Sequence, residues 1–340
     1  MKLLILGGTK FLGRHLVMAA LDRNHEVTVF NRGRHAAPAD VETISGDRHT
    51  DLAKLQARRW DAVVDTSGML PRAVKAAAEV LADSIAHYTF ISTQNVYADV
   101  SIPGVSESAP LRTLTSEELD EAYSIDTSAD PSYGNSTGGL KALCEQAATS
   151  VMPGRVLKIR PGLIVGPNDY TDRFTYWVAR VARGGEVLAP GRPDTFVQFI
   201  DVRDLAEWTL SMIERNETGA YNAQGVAGRV TMGDVLKECK SVSGSDASFT
   251  WASEEFLLRE NVAAWTDMPL WLPVEAAPHL KGFMFINGDK AVRAGLSFRS
   301  LNDTIAATLA WYQETRNDPL KAGLDSNREQ SLLGKLHASR

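Results

Sequence analysis

The sequence predicts an α/β fold, a doubly wound parallel sheet with a smaller lobe toward the C-terminus. Three observations lead there. Short apolar runs at 3–6, 27–30, 41–44, 62–65, 88–91 and 156–159 alternate with amphipathic stretches such as 72–82 and 140–149. That rhythm is the one that strand–helix–strand crossovers leave in a sequence. After Gly166 the alternation gives way to a mixed, aromatic-rich pattern, and 340 residues are enough for two lobes.

The first run ends in Gly7-Gly8-Thr9-Lys10-Phe11-Leu12-Gly13, and an amphipathic stretch, 14–23, follows. A strand, a tight glycine turn and a helix start in this order form a cradle for a dinucleotide pyrophosphate, with unpaired N–H groups and partial positive charge at the helix start. The fold expected is therefore of the Rossmann type. Lys10 stands where the pattern usually has its middle glycine, which puts a cation near the phosphates. The second strand ends Asn31-Arg32-Gly33-Arg34, without the acid that binds ribose hydroxyls in an NAD site. Arg32 and Arg34 suit a 2′-phosphate instead, so the expected cofactor is NADPH/NADP+.

Residues 100–132 are rich in Ser, Pro, Asp and Glu and read as a long loop with one short helix. A strand is expected at 195–202, and a helix at 202–215 that returns to the first lobe. The division that follows is 1–165 for the cofactor domain, with 198–215 added, 166–330 for the substrate lobe, and a polar tail at 331–340. Trp251, Trp265, Trp271, Phe283 and Phe285 are expected to supply the small lobe's core for the most part, with some left to line a pocket.

Composition narrows the function. A net charge of −6 and a pI near 5.7 speak against a broad nucleic-acid surface. Cys144 and Cys239 are the two cysteines and have no metal-ligand spacing, so neither a metal site nor a disulfide framework is expected. No run approaches membrane-spanning length, and Met1 leads almost directly into a strand. These features suggest a cytoplasmic protein whose partner is a small-molecule substrate and leave open whether it is a monomer or homodimer.

The motifs together resemble the extended and atypical short-chain dehydrogenase/reductases, in the branch of the NAD-dependent epimerase/dehydratases and chloroplast stem-loop-binding-like proteins. The carriers are the glycine turn at 7–13, Phe-Asn-Arg-Gly at 30–33, Gly-Asp-Arg at 46–48, Val-Val-Asp-Thr-Ser-Gly at 63–68 and Ile-Ser-Thr-Gln-Asn-Val-Tyr at 91–97. Ile-Arg-Pro-Gly at 159–162, Val-Gly-Pro-Asn-Asp at 165–169, the 198–206 segment and Met-Pro-Leu-Trp-Leu-Pro at 268–273 complete the set. The resemblance implies that Asp47 and Arg48 flank the adenine and that Thr66, Ser67 and Gly68 run along the ribose and phosphates. It also implies that Pro161 and Gly162 lie near the nicotinamide amide. All of these follow strands, at the sheet edge where such folds bind ligands.

By the same resemblance, carbonyl reduction uses a Ser/Thr hydroxyl, here Thr93, and a Tyr-x-x-x-Lys pair. The pair is interrupted: Tyr133 and Lys141 are eight apart, as though residues 135–138 had been inserted. On one helix a spacing of eight gives about 12 Å of rise against about 6 Å for four. Gly138-Gly139 also disfavours a helix through this segment. Either the extra residues loop out, or Lys141 keeps its place while Tyr133 moves away, or both are lost. The second outcome is the expectation, with Thr137 then standing four before Lys141. The proton would then come from water or from an acidic hydroxyl on the substrate. Gln94, Asn95, Asn168, Asp169 and Tyr176 are candidate substrate contacts.

The reading this favours is an NADPH-dependent ketoreductase for a bulky, polyketide-type secondary metabolite, as in antibiotic biosynthesis. A nucleotide-sugar epimerase or dehydratase is the alternative. Against it, Val197-Gln198 stand where such enzymes place a diphosphate-binding Arg, and 281–289 lacks their Arg-Arg run, although Arg192 or Arg299 remain as substitutes. A non-catalytic cofactor-binding or regulatory protein is the third reading.

Overall fold

A computed structural model describes residues 1–38, 41–127, 132–315 and 319–339. The strands are β1 (Lys2–Leu6), β2 (Glu26–Asn31), β3 (Glu42–Ser45), β4 (Ala62–Asp65), β5 (His87–Ile91), β6 (Val156–Pro161), β7 (Leu163–Val165), β8 (Glu186–Pro190), β9 (Phe196–Val197), β10 (Phe199–Asp201), β11 (Gly219–Ala223), β12 (Val230–Thr231) and β13 (Ser248–Ala252). Seven of them form one parallel sheet in the order β11-β6-β5-β4-β1-β2-β3. Its middle strands are near-continuous apolar runs because helices cover both faces: Leu3 to Leu6 are at most 1% exposed.

On one face α1 (Phe11–Asp22) packs against α6 (Val202–Glu214); on the other α2 (Pro71–Leu81) packs against α4 (Thr137–Val151). α1 buries Leu12, Leu16 and Ala20, spaced by four on one helix face. Between α2 and α4 lies α3 (Ser116–Ser124), the short helix expected in the 100–132 stretch. Its start is set by a capping box in which Thr115 accepts from Glu118 N–H and Glu118 reaches back. The second lobe is built on α5 (Thr175–Ala182), α7 (Met232–Ser243) and the β8–β13 pair, around Trp177, Leu236 and Leu257.

The structure departs from the sequence reading in four places. The lobe boundary at 165/166 is crossed more often than expected. Besides α6, strand β11 is the edge of the main sheet, and Ala291 and Leu296 join its core. The strand expected at 195–202 is two short strands, β9 and β10, each with a different partner. They part at Gln198, whose buried amide bonds Gly225 O and both backbone groups of Ile286. The polar tail is the helix Ser326–Ala338: Leu332, Leu333 and Leu336 are buried among its charged residues, and Glu329 pairs with Arg180 at 2.5 Å.

Finally, Gly138 and Gly139 lie inside α4. They are there because the helix start is pressed against its neighbours. A Cβ on Gly138 would stand 2.1 Å from the Asn95 carbonyl oxygen, and one on Gly139 2.5 Å from the Leu114 side chain. Close approach outweighs the helix propensity that glycine lacks.

Candidate active site

A cavity of about 640 Å3 opens at the C-terminal ends of β1, β2, β4, β5 and β6. Gly7 and Gly8, at φ 115° and 86°, turn the chain there. A Cβ on Gly7 would meet Thr66 Oγ1 at 2.3 Å, and one on Gly8 would meet Val29 Cγ1 at 2.7 Å, so this turn admits no side chain. Gly13 lets α1 close on it, since a Cβ there would lie 2.7 Å from Gly8 N. Lys10 caps α1 in extended conformation with no side-chain cap, which leaves the first N–H groups of the helix aimed into the cavity. Thr66 and Ser67 donate their hydroxyls to Leu6 O at 2.9 and 3.2 Å and so tie β4 to the turn.

At the other end, Asn31, Arg32, Arg34 and His35 line the wall after β2. Asn31 Oδ1 accepts from Gly33 N at 2.7 Å, while its buried Nδ2 has no partner among the described residues. Arg32 donates to Thr127 O at 2.7 Å. Asp47 and Arg48 also line the cavity. Arg48 grips the fully buried Asp65, and Tyr88 adds its hydroxyl to the same carboxylate at 2.8 Å. Burial works against the Asp65 charge, but Arg48 and Tyr88 outweigh it and hold the carboxyl below its ordinary pKa. Asp65 thus takes up much of the guanidinium that the family resemblance gives to the adenine. A bare glycine turn, an uncapped helix start and an orphan amide suit a dinucleotide.

Lys141 sits in the first turns of α4, anchored because Glu145, one turn on, forms a buried pair with Arg160 of β6 at 2.6 and 2.9 Å. Its Nζ donates to Ile91 O at 2.8 Å and lies 4.7 Å from the Phe90 ring centroid. Burial pushes the ammonium below the usual lysine pKa. Next to Ile91, the Ser92 hydroxyl is buried, lines the same cavity and has no partner among the described residues. Sequence reasoning passed over Ser92 for its neighbour. Thr93 lines neither cavity described here, and its oxygen accepts from Asn95 N at 3.2 Å.

Tyr133 precedes α4, at the entrance of the turn Gly134–Ser136. It lines the cavity but packs on Leu70, Ala73, Ala122 and Leu140, on the α2 side. Burial holds its phenol above the ordinary value; Arg72 is the cation that counteracts this. Thr137 lines a second cavity of about 260 Å3, together with Asn95, Arg112, Gly138, Trp265 and Phe283.

Other expected contacts lie elsewhere. Gly68 is packed against Phe90 and Val74, and Gly162 against Gln224 and Gln94, where a Cβ would clash. Asn168 and the buried Asp169 form the turn before Tyr170, with Asp169 Oδ1 accepting from Thr171 N and Oγ1. Their neighbour Tyr170 is the one that reaches the first cavity, edge-on to Phe11 and 5.7 Å above Lys10 Nζ. Tyr176 is 2% exposed, seated against Trp177 and Gly323 in the second lobe's core, and lines neither cavity. Among the described residues no cluster of His, Cys, Asp and Glu suits a metal, and no helix is long and apolar enough to cross a membrane.

A model of the NAD dependent epimerase/dehydratase family matches residues 3–224, which include the glycine turn, Ser92, Lys141 and the Pro161 strand end. The chain belongs to this family. A chloroplast stem-loop binding protein of 41 kDa (form b) from Arabidopsis thaliana is 25% identical over 307 residues, 83% of this chain and 74% of that protein. A 2-alkyl-3-oxoalkanoate reductase from Stenotrophomonas maltophilia is 30% identical over 201 residues, 56% of this chain and 58% of the reductase. Among solved structures, UDP-glucuronic acid 4-epimerase from Bacillus cereus, in complex with NAD, superposes with a TM-score of 0.64 at 17% identity, over 95% of this chain and 100% of the epimerase. A UDP-glucose 4-epimerase gives 0.67 at 15% identity, over 94% and 99%. At such identities the epimerases share the fold of this family member. It resembles the extended short-chain dehydrogenase/reductases over nearly its whole length.

Proposed function

We propose that this family member is an NADP(H)-dependent oxidoreductase that reduces the ketone of a small non-nucleotide substrate, a bulky carbonyl compound of polyketide type. The observation that carries the reading is the company Lys141 keeps. Its desolvated ammonium shares one cavity with the glycine turn and with the Ser92 hydroxyl, which has no partner among the described residues; Tyr133 borders the same cavity from the side of Leu70 and Ala73. A bound nicotinamide supplies the hydride. Ser92 Oγ donates toward the carbonyl oxygen as charge develops there. Lys141 Nζ holds the proton that completes the alcohol, and water restores it. Arg32 and Arg34 line the wall after β2, whose end, Asn31-Arg32-Gly33-Arg34, carries no Asp or Glu, and this supports NADP over NAD.

The two arginines that could serve the nucleotide-sugar reading as substitutes are both engaged. Arg192 is paired with Asp194, and Arg299 with Asp204 and Glu207. The reductase among the relatives supports ketone chemistry; the stem-loop binding relative supports the non-catalytic alternative, against which the net charge of −6 speaks. We place the protein in the cytoplasm, as a monomer or homodimer free of nucleic acid and membrane. The test is fluorescence titration with NADPH and NADH, followed by NADPH oxidation with a panel of ketones. Tight NADPH binding with turnover of at least one ketone is expected. Equal affinity for both cofactors, or turnover of nucleotide sugars instead, would sink the reading.

A further inference from the structure

We infer that the second cavity is the seat of a carboxylate-bearing ketone with an apolar body, of the oxo-acid class, and that Arg112 is its anion anchor. The inference rests on the reductase reading and adds the substrate class to it.

Arg112 is the one cation among the described residues that line this cavity. Its root is fixed: the backbone N–H donates to Val96 O at 2.7 Å, and Nε donates to Tyr97 O at 3.0 Å. Tyr97 and Leu111 form an antiparallel bridge just before it. The two terminal nitrogens have no partner among the described residues. A guanidinium held by Nε with both terminal nitrogens unused is a fork preset for two parallel bonds to a carboxylate.

The rest of the cavity says what the carboxylate is attached to. Trp265 and Phe283 meet edge to face, with centroids 5.7 Å apart, and Leu272 and Leu280 extend the apolar wall. Arg173 stands 5.4 Å from the Trp265 ring centroid and adds positive potential behind that wall. Asn135 and Thr137 lie at the approach to and start of α4, one turn before Lys141, and Asn95, in the turn after β5, is pressed against Gly138 there. A ligand seated here has its acid on Arg112, its apolar body on the aromatic pair and its ketone toward the start of α4, whose flanking residues Tyr133 and Lys141 line the cofactor cavity. At about 260 Å3 the cavity is at the small end for ligand pockets, which run from about 300 Å3 upward. A lone guanidinium and an apolar wall also match a monoanion better than a diphosphate.

Two measurements test this, one of them independent of turnover. Calorimetry compares phenylpropanoate, which has no ketone to reduce, with its neutral amide, on the parent protein and on Arg112→Met and Arg112→Lys. Arg112 is exposed, so the parent is expected to prefer the acid by roughly two- to fivefold, the size of an exposed charge pair. Arg112→Met loses that preference, and Arg112→Lys regains part of it. In turnover with NADPH, the ratio of kcat/KM for benzoylacetate over its ethyl ester is expected to fall by a similar factor in Arg112→Met. Equal binding of acid and amide by the parent overturns the assignment. So does an unchanged preference in Arg112→Met with an unchanged melting temperature. If no ketone is reduced but the Arg112-dependent preference for the acid stands, the reductase reading fails and the anion site survives it.

Discussion

Arg48 holds Asp65 through both terminal guanidinium nitrogens, each 2.9 Å from a carboxylate oxygen, at the edge of the cofactor cavity. The carboxylate is fully buried, so its charge is supported by Arg48 and the Tyr88 hydroxyl. Replacing it with Asp65→Asn leaves the largely buried Arg48 guanidinium without its counter-charge. We expect a loss of about 3–5 kcal/mol in urea unfolding. The same pair sets an acid limit. Because the folded-state pKa of Asp65 is depressed, its contribution is complete above the ordinary carboxylate pKa and disappears as pH falls through the lower folded value. The acid unfolding midpoint should therefore move to higher pH in Arg48→Met.

Tyr133→Phe separates two mechanisms. Removing a true general acid costs roughly 100-fold or more. With Tyr133 packed on Leu70 and Ala73 we expect its phenylalanine variant to keep most of its turnover, and Lys141→Met to lose about that factor in kcat with NADPH still bound. Loss of turnover in Tyr133→Phe would return the proton to the tyrosine.

The pH profile checks the same assignment. Lys141 acts in its protonated form, and burial lowers its pKa. Turnover should fall as pH rises through that lowered value, well before an ordinary lysine would lose its proton, and Lys141→Arg should abolish this alkaline limb.

Gly138→Ala probes the contact between α4 and the Asn95 turn. The new Cβ would stand 2.1 Å from a backbone oxygen, which cannot give way as a flexible side chain does. A loss of about 1–3 kcal/mol is expected by chemical denaturation, together with a changed KM for the ketone, because Gly138 and Asn95 line the second cavity.

Cofactor choice depends on the basic wall after β2. The double variant Arg32→Ala/Arg34→Ala should weaken NADPH by roughly tenfold or more, as expected for charged hydrogen bonds, and leave NADH nearly unaffected. A parallel loss for both cofactors would show that these arginines do not read the 2′-phosphate.

The first half of the chain was legible because most of its strands carry an apolar run and end in their own polar signature, the exposed β3 (Glu-Thr-Ile-Ser) being the exception. The glycine turn, the strand ends after β1, β2 and β4, and the positions of α2 and α4 all follow from local pattern. What escaped depends on contacts between distant segments. Nothing in Gly138-Gly139 announces that the Asn95 carbonyl is pressed against them, so they read as helix breakers. Leu332 and Leu336 sit among charges and hide a buried helix face in what looks like a tail. Ser92 and Thr93 are indistinguishable by motif spacing, and the turn toward Asn95 decides which hydroxyl faces the cavity. Arg112 lies in a stretch with no periodicity, and its fixed root appears only once Val96 and Tyr97 lie beside it.

The stretch from Tyr133 to Lys141 is common to both cavities. Its two ends border the cofactor chamber, and its middle, from Gly134 to Gly138, borders the other. A change in a stretch held in common is felt on both sides. Attempts to broaden substrate range by altering Asn135 or Thr137 should disturb nucleotide affinity as well. Variants that alter one property alone are better sought on the far walls, at Leu272 or Leu280 for the substrate and at Arg34 or His35 for the nucleotide.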